Sequence, residues 1–232
     1  MSSSGQQQLP LPVRLKDEAT FDNFLPQAAT RALIAALQQQ ASGAGEAIIY
    51  LYGGAGSGKS HLLQASCHRA GSAIYLPLHE LMEYEPAEVL QGIEALDLVC
   101  LDDVERVLQR ADWELALFDL CNRARERGCR LLVAGNAAPR ALAVNLPDLR
   151  SRLAWGIVYQ LSDAQDDEKA AILQFRAARL GLSLSREVCS YIVNRSARDM
   201  EALLGLLDKL DNASLVEQRG LSIPFVKATL GW

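Results

Sequence analysis

The stretch Gly53 to Ser60 reads Gly-Gly-Ala-Gly-Ser-Gly-Lys-Ser. It fits the phosphate-binding loop pattern G-x-x-x-x-G-K-[ST] at every fixed position. A β-rich run over 46–52 precedes it and a helical pattern over 60–70 follows it, which is the strand, loop and helix order that such a loop requires. The sequence therefore predicts that the chain binds a nucleoside triphosphate or diphosphate.

The residue types in this loop have separate tasks. Glycines let the backbone turn its N–H groups towards a polyphosphate, and the following helix adds its own N–H groups and its dipole. Lys59 is expected to reach the β- and γ-phosphates, and the Ser60 hydroxyl is expected to bind Mg²⁺. The predicted nucleotide-binding residues of this stretch are Gly53, Gly54, Ala55, Gly56, Ser57, Gly58, Lys59, Ser60 and His61.

Composition restricts the class of protein. The chain has 232 residues, 50% of them hydrophobic, with a net charge of −5. No apolar run approaches the ~20 residues that span a bilayer, and the Ser/Gln-rich start lacks a signal pattern, so we expect a cytoplasmic globular protein without membrane contact. The negative charge argues against extensive binding to a nucleic-acid backbone. Five scattered cysteines without a C-x-x-C pair favour buried thiols over disulfides or a zinc site.

Polar residues follow two of the predicted strands. The apolar run over 97–101 leads into Asp102 and Asp103, and the run that starts at residue 130 ends at Asn136. We interpret Asp102 as a Mg²⁺ ligand through the water shell and Asp103 as the residue that orients the attacking water. Asn136 is expected to position that water or to contact the γ-phosphate. The simpler alternatives are an acidic turn and an amide that caps a loop.

An aromatic segment precedes the first predicted strand. Phe21 and Phe24 lie within Thr20-Phe21-Asp22-Asn23-Phe24-Leu25-Pro26, before a helical stretch over 27–40. These side chains either pack in the core or form a wall for the adenine ring. On the second interpretation, the predicted nucleotide-binding residues include Phe24, Leu25 and Pro26.

The order of patterns indicates two folded domains after a flexible tail. Residues 1–19 form the tail, 20–161 an α/β domain and 162–232 a small all-α domain. In the α/β domain, strand-like runs over 73–77 and 157–161 add to those already named, with helices predicted over 86–95 and 112–127. In the last domain only helical patterns occur, over 166–180, 185–194, 198–218 and 224–230.

Three arginines are candidates for phosphate contacts. Arg150 and Arg152 lie two positions apart just before the last strand-like run. Arginines are usually solvated, but a guanidinium also stabilises transferring phosphoryl oxygens, often from a neighbouring molecule. Arg198 opens a predicted helix, where a cation opposes the helix dipole unless Glu201 or a bound phosphate offsets it.

The tail contains the segment Gln8-Leu9-Pro10-Leu11-Pro12. Its two prolines exclude a helix. An extended segment of this kind could present Leu9 and Leu11 to a pocket of a partner. A tail without a role is the alternative.

The chain resembles the AAA+ ATPases, in particular their DnaA-related branch. The resemblance lies in the order of its motifs: the phosphate loop, the strand-terminal acids, the strand-terminal Asn and the arginines. The resemblance covers the chain from about Thr20 onwards. It implies an αβα sandwich with a parallel five-stranded sheet and a helical lid. On this resemblance, Gly53 to Ser60 is the Walker A motif, Leu98 to Asp103 is Walker B, Asn136 is sensor 1, Arg152 is the arginine finger and Arg198 is sensor 2.

The resemblance also implies partners and cofactors. The cofactors are ADP or ATP with Mg²⁺, the ion being bound through Ser60 and Asp102. Residues Gln8, Leu9, Leu11 and Pro12 would bind the DNA polymerase III beta sliding clamp, so that DNA is contacted only through the clamp. The protein would then stimulate hydrolysis of ATP held by the DnaA initiator and so inhibit replication initiation. A homodimer is a further candidate assembly.

Three functions remain open at this point. The chain is a regulatory partner that holds ADP and supplies Arg152 to another molecule, an autonomous ATPase such as a helicase loader, or a shortened initiator that binds DNA itself. The negative charge and the short stretch after Arg198 weigh against the third function. The Gln-Leu-x-Leu-Pro segment favours the first over the second, because a loader needs no clamp tether.

Overall fold

The computed structural model describes residues 14–197 and 199–232. The predicted clamp-binding residues Gln8, Leu9, Leu11 and Pro12, and also Arg198, lie outside the described residues. The chain forms two compact units. The first contains 14–53 and Lys59–Leu161, and the second contains Gly54–Gly58 with Ser162–Trp232.

The centre of the first unit is a sheet of five parallel strands. Their spatial order is β2-β3-β4-β1-β5, and every neighbouring pair is parallel. The expected five-stranded parallel sheet is therefore confirmed. The strands are β1 (Ile48–Gly53), β2 (Ala73–Pro77), β3 (Leu98–Asp102), β4 (Arg130–Gly135) and β5 (Ile157–Leu161).

Helices cover both faces of this sheet. Along β1, Tyr50 packs on one face with Trp113, whereas Ile49 packs on the other face with Leu37 and Leu62. Successive strand residues point to opposite faces, so two separate cores form and give the three αβα layers. The helices of this unit are α1 (Arg31–Ala41), α2 (Lys59–Arg69), α3 (Leu78–Leu81), α4 (Pro86–Val89), α5 (Ala111–Arg127) and α6 (Pro147–Leu153).

One helix prediction in this unit is wrong, and a further helix was not predicted. The helix expected over 86–95 is wrong, because α4 ends at Val89 and a separate 3-10 turn follows over Ile93–Ala95. Gly92 between them has φ 75°, a left-handed conformation through which an α-helix cannot continue and which glycine adopts readily. The sequence pattern also missed α6, which begins with a proline, a residue that suits the first helical position.

The second unit is helical apart from the loop residues that cluster with it. Its helices are α7 (Asp166–Arg179), α8 (Arg186–Arg195), α9 (Met200–Glu217) and α10 (Ile223–Leu230). They share one core, which includes Leu173, Ile192 and Leu207. Helix α9 begins at Met200, not at Arg198 as expected, because the Asp199 carboxylate caps it by accepting a 3.0 Å hydrogen bond from the Ala202 N–H. Among the described residues, no helix is long and apolar enough to cross a membrane.

Candidate nucleotide-binding site

The phosphate loop connects β1 to α2. Lys59 begins α2, is buried, and its Nζ donates a 2.9 Å hydrogen bond to the Gly53 carbonyl. Gly56 and Gly58 have φ of 74° and 94°, which is left-handed backbone that a residue with a Cβ rarely adopts. The loop therefore turns sharply just before a helix N-terminus, the arrangement that binds a polyphosphate through backbone N–H groups.

Within the second unit, two carboxylates lie close to the loop glycines. A Cβ added to Gly54 would lie 2.5 Å from Asp163 Oδ1, and one added to Gly56 would lie 3.0 Å from Asp199 Oδ1. A Cβ at position 54 would displace the Asp163 carboxylate, whereas Gly56 has a left-handed backbone conformation that favours glycine. Of the other predicted residues, Ala55 lies between Gly54 and Gly56 and is exposed, and Ser57 follows Gly56.

Asp102 lies at the carboxyl end of β3 and is fully buried. Its Oδ2 accepts a 2.7 Å hydrogen bond from the Tyr75 hydroxyl, and Ser60 also donates to this carboxylate. Burial raises the pKa of Asp102, and the hydrogen bonds from Ser60 and Tyr75 lower it. A hydroxyl and a carboxylate oxygen in direct contact are hard donors, so Ser60 and Asp102 fit a Mg²⁺ ion that is shared with phosphates.

Asp103 follows Asp102 but its carboxylate is paired elsewhere. Its backbone is left-handed, with φ 54° and ψ 45°, and Oδ2 lies 2.8 Å from Nδ1 of His79. His79 is in α3, directly after β2, and no sequence pattern distinguished it. The two neighbouring acids therefore have different surroundings. Asp102 is buried and contacts Tyr75 and Ser60, whereas Asp103 is partly exposed and pairs with His79.

Asn136 follows β4 at the same edge of the sheet. Its backbone N–H donates a 3.2 Å hydrogen bond to Glu105 Oε2, and the Tyr50 hydroxyl donates a 3.0 Å bond to the next carbonyl, that of Ala137. Burial raises the pKa of Glu105, whereas the charge of Lys59 lowers it. Sequence reasoning missed Glu105 and Tyr50. The only available signal was a third acid close behind the strand-terminal pair.

His61 and Phe24 contact each other. Nε2 of His61 lies 2.8 Å from the Thr20 carbonyl oxygen, and its ring centroid is 5.6 Å from that of Phe24. Phe24 packs against the core that lies between the sheet and helices α1 and α2. Leu25 is half-buried and Pro26 is exposed. The segment is therefore anchored to the fold through Phe24 and His61.

Arg150 and Arg152 lie on α6 in different surroundings. Arg150 Nη2 donates a 2.6 Å hydrogen bond to the Val144 carbonyl. The Arg152 guanidinium lies 4.5 Å from the ring centroid of Trp155 and 5.7 Å from that of Phe118. A cation over aromatic faces is held in place electrostatically without a hydrogen bond to the rings.

Lys59 and Arg152 lie beyond opposite ends of the strands, which we call the carboxyl edge and the amino edge of the sheet. Lys59 follows the carboxyl end of β1, whereas α6 leads into the amino end of the parallel neighbour β5. A Cβ on Gly156 would overlap the carbonyl of Ile48, so this segment is pressed against the amino end of β1. Because a strand rises about 3.3 Å per residue, the two edges are separated by roughly 15 Å.

A phosphate loop after β1, acids after β3, a polar residue after β4 and a second helical unit together define a P-loop protein of the AAA+ class. Two family models match the chain: Hda, lid domain, over residues 166–230, and bacterial DnaA ATPase domain, over residues 15–75. An uncharacterized protein of Haemophilus influenzae is 43% identical over 228 residues, 96% of this chain and 98% of its own. The chain belongs to the Hda/DnaA-related AAA+ proteins.

Solved structures share this fold. Domain III of the Thermotoga maritima replication initiation protein DnaA has a TM-score of 0.78 and 20% identity, over 94% of this chain and 98% of its own. AMPPCP-bound DnaA from Aquifex aeolicus has a TM-score of 0.70 and 21% identity, over 84% of this chain and 65% of its own. A RuvB variant from Thermotoga maritima has a TM-score of 0.69 and 18% identity, over 92% and 71%.

Proposed function

We propose that this protein is a negative regulator of replication initiation, which binds ADP and stimulates hydrolysis of the ATP held by DnaA. The observation that carries the proposal is the separation of Lys59 from Arg152 across the sheet. An arginine roughly 15 Å from the phosphate loop cannot act on the nucleotide bound there. It is instead available to a nucleotide on a second molecule.

The chain's own nucleotide binds at the carboxyl edge of the sheet. The loop from Gly53 to Gly58 and Lys59 contact its phosphates, and Ser60 and Asp102 share Mg²⁺ with them. The Aquifex DnaA that shares this fold was solved with AMPPCP, which supports a nucleotide here. We assign Phe24, Leu25 and Pro26 to the base and Arg198 to the phosphates.

Weak turnover of this nucleotide follows from the state of Asp103. That carboxylate is expected to orient the attacking water, but His79 lies 2.8 Å from it. Its side chain is also one methylene shorter than the Glu common at this position in AAA+ enzymes. Both features disfavour intrinsic hydrolysis and support an ADP-bound resting state.

Arg152 supplies the cation for the neighbouring site. Its Nε is buried and has no hydrogen-bond partner among the described residues. Stacking on Trp155 and Phe118 holds the guanidinium by its face, and we assign its Nη donors, not the buried Nε, to the phosphoryl oxygens. A guanidinium provided in trans can accelerate hydrolysis roughly 10³- to 10⁵-fold in other nucleotide hydrolases.

The tail brings this protein to DNA indirectly. Leu9 and Leu11 bury in a pocket of the sliding clamp, and Gln8 forms hydrogen bonds at its rim beside Pro12. Replacing both leucines by Ala is expected to abolish retention on immobilised clamp, because each buried leucine contributes roughly 1.5–3 kcal/mol. ADP affinity should remain unchanged in this variant.

The decisive experiment measures release of phosphate from DnaA preloaded with labelled ATP. The protein should stimulate release only when DNA-loaded clamp is present, and its own turnover without DnaA should stay far lower. Turnover without DnaA at a rate equal to the stimulated one would contradict the proposal and favour the autonomous ATPase. The Hda lid match over 166–230 supports the regulatory function over that alternative.

A further inference from the structure

We infer that Tyr50 and Glu105 form a two-point clamp on the turn that carries Asn136, and that this clamp sets the Asn136 amide at the terminal phosphate of the chain's own nucleotide. Both are positioning residues, since they act through Asn136. The functional half of this inference rests on the nucleotide binding proposed above. The structural half concerns the turn alone.

Among the residues that the structure describes, no strand pairs with this turn. β4 ends at Gly135, and a 3-10 turn begins only at Pro139. In between, the Asn136 N–H donates to Glu105 Oε2 at 3.2 Å and the Ala137 carbonyl accepts from the Tyr50 hydroxyl at 3.0 Å. The two bonds fix the backbone on both sides of the peptide that joins residues 136 and 137.

Tyr50 holds the turn from the middle of the sheet. Its side chain is completely buried and its backbone pairs with Val133, three residues before Asn136. The hydroxyl passes Gly135 so closely that a Cβ there would overlap it. Glycine at position 135 therefore makes room for this hydroxyl to reach the Ala137 carbonyl.

Glu105 holds the turn from the neighbouring strand. It lies in the 3-10 turn Val104–Arg106 that follows β3, the strand next to β4. Unlike Asp103, which pairs with His79, Glu105 directs an oxygen at the Asn136 N–H. A glutamine could accept the same hydrogen bond through its amide oxygen, whereas an alanine could not.

The location of the clamp suits contact with a γ-phosphate. β4 lies between β3 and β1, so Asn136 follows the strand that separates Asp102 from the phosphate loop. Burial raises the pKa of Glu105, and Lys59 is close enough for its charge to offset a small part of this rise. A displacement of the turn would move the Asn136 amide relative to the γ-phosphate, but ADP lacks this group. The clamp should therefore affect binding of a triphosphate and not of a diphosphate.

The first test uses amide hydrogen exchange of the nucleotide-free full chain, followed by NMR at Asn136. Glu105→Ala should raise the exchange rate at this amide at least tenfold, because its acceptor is lost. Glu105→Gln should restore slow exchange. Glu126→Ala, at an exposed site on α5, is the matched control and should change nothing. If the exchange rate at Asn136 is unchanged in Glu105→Ala, Glu105 does not hold the turn. This result would overturn the two-point clamp of Tyr50 and Glu105, independently of the nucleotide affinities.

The second test compares affinities for AMPPCP and ADP by calorimetry. Glu105→Ala, Tyr50→Phe and Asn136→Ala should each weaken AMPPCP binding roughly tenfold. The ADP affinity of all three variants should stay within about twofold of that of the unmodified protein. Glu105→Gln should retain near-normal AMPPCP affinity, and Tyr84→Phe, at an exposed tyrosine, is the control for the hydroxyl loss.

The outcomes separate the clamp from the proposed function. Tighter AMPPCP binding by both Glu105→Gln and Glu105→Ala would show charge repulsion and overturn the positioning role. Equal loss of AMPPCP and ADP in the two clamp variants would indicate only a structural role and also overturn it. If Asn136→Ala binds AMPPCP normally, the proposed role of Asn136 fails together with the functional half of the inference, while hydrogen exchange still decides the clamp itself.

Discussion

The two edges of the sheet present different chemistry. At the carboxyl edge, polar side chains are joined to one another and to the backbone by hydrogen bonds, as Asp102 is to Tyr75 and Asn136 to Glu105. At the amino edge, Arg152 rests on the faces of Trp155 and Phe118. One edge is an interlinked polar site around a lysine, and the other is a cation on an aromatic support.

On the proposed function, the chain binds one nucleotide at the carboxyl edge and offers Arg152 to a second nucleotide held by another molecule. An interlinked site holds a ligand in one geometry, which suits tight binding of a nucleotide. A guanidinium supported by stacking keeps its N–H donors available for a partner's phosphates. Substitutions at each edge can test whether the two edges act independently.

Arg152→Ala should remove stimulation of DnaA-bound ATP hydrolysis almost entirely. The loss should approach roughly 10³-fold in the stimulated rate, because the variant no longer neutralises charge on the transferring phosphoryl group. The variant should still bind ADP and the sliding clamp. Phosphate release from ATP-loaded DnaA with DNA-loaded clamp measures the rate, and calorimetry measures ADP affinity.

Arg150→Ala is the matched control for this prediction. It lies on the same helix, but its guanidinium donates to the Val144 carbonyl of the chain itself. A stimulated rate within a few-fold of normal is expected. The independence of the edges would be refuted if Arg152→Ala lost stimulation only because its own ADP was lost.

Lys59→Ala should produce the second largest effect, confined to the carboxyl edge. The substitution removes the cation that faces the terminal phosphates, and we expect a loss of about 2–4 kcal/mol in ADP binding since the loop N–H groups remain. Calorimetric titration of the folded variant measures this loss. Unchanged ADP affinity would show that the phosphates bind elsewhere.

Much of the carboxyl edge could be predicted from sequence because its signals are local. The fixed spacing of Gly53 to Ser60 requires a strand and a helix around it, and apolar strands that end in acids or an amide place those residues at one edge. The five strands were therefore located with small errors at their ends. The break at Gly92 was missed because a glycine alone does not distinguish a C-cap from a helix interior.

The contacts between elements could not be predicted. His79 and Asp103 come from different strand ends, and the Tyr50 hydroxyl meets Ala137, 87 positions along the chain. Such pairs depend on strand order and on which face a side chain takes, and neither appears in local periodicity. The stacking of Arg152 on Trp155 was missed for another reason, since α6 is short and lacks an apolar period.

Trp155→Ala tests whether stacking matters at the amino edge. Trp155 is about half exposed, and the guanidinium of Arg125 also lies over its ring, at 4.0 Å. Removing a cation–π partner costs about 1 kcal/mol, so stimulation should fall roughly fivefold while ADP affinity is unchanged. Trp155→Phe should recover part of the rate. Leu115→Ala, at another exposed apolar residue, is the control and should have no effect.

Tyr75→Phe should produce the smallest effect, and it tests how interlinked the carboxyl edge is. The variant loses only the hydroxyl that donates to Asp102 Oδ2, while the ring keeps its packing on the core. A hydrogen bond to a carboxylate is worth about 1–2 kcal/mol at a partly buried site, and a bound Mg²⁺ should replace part of it. We therefore expect ADP to bind about threefold more weakly in Mg²⁺ and unchanged in excess chelator, because Asp102 affects the nucleotide only through the ion. Calorimetry under both conditions measures the difference, and stimulation of DnaA by the ADP-saturated variant should equal that of the unmodified protein. A fall in that stimulation would show that the two edges are coupled after all.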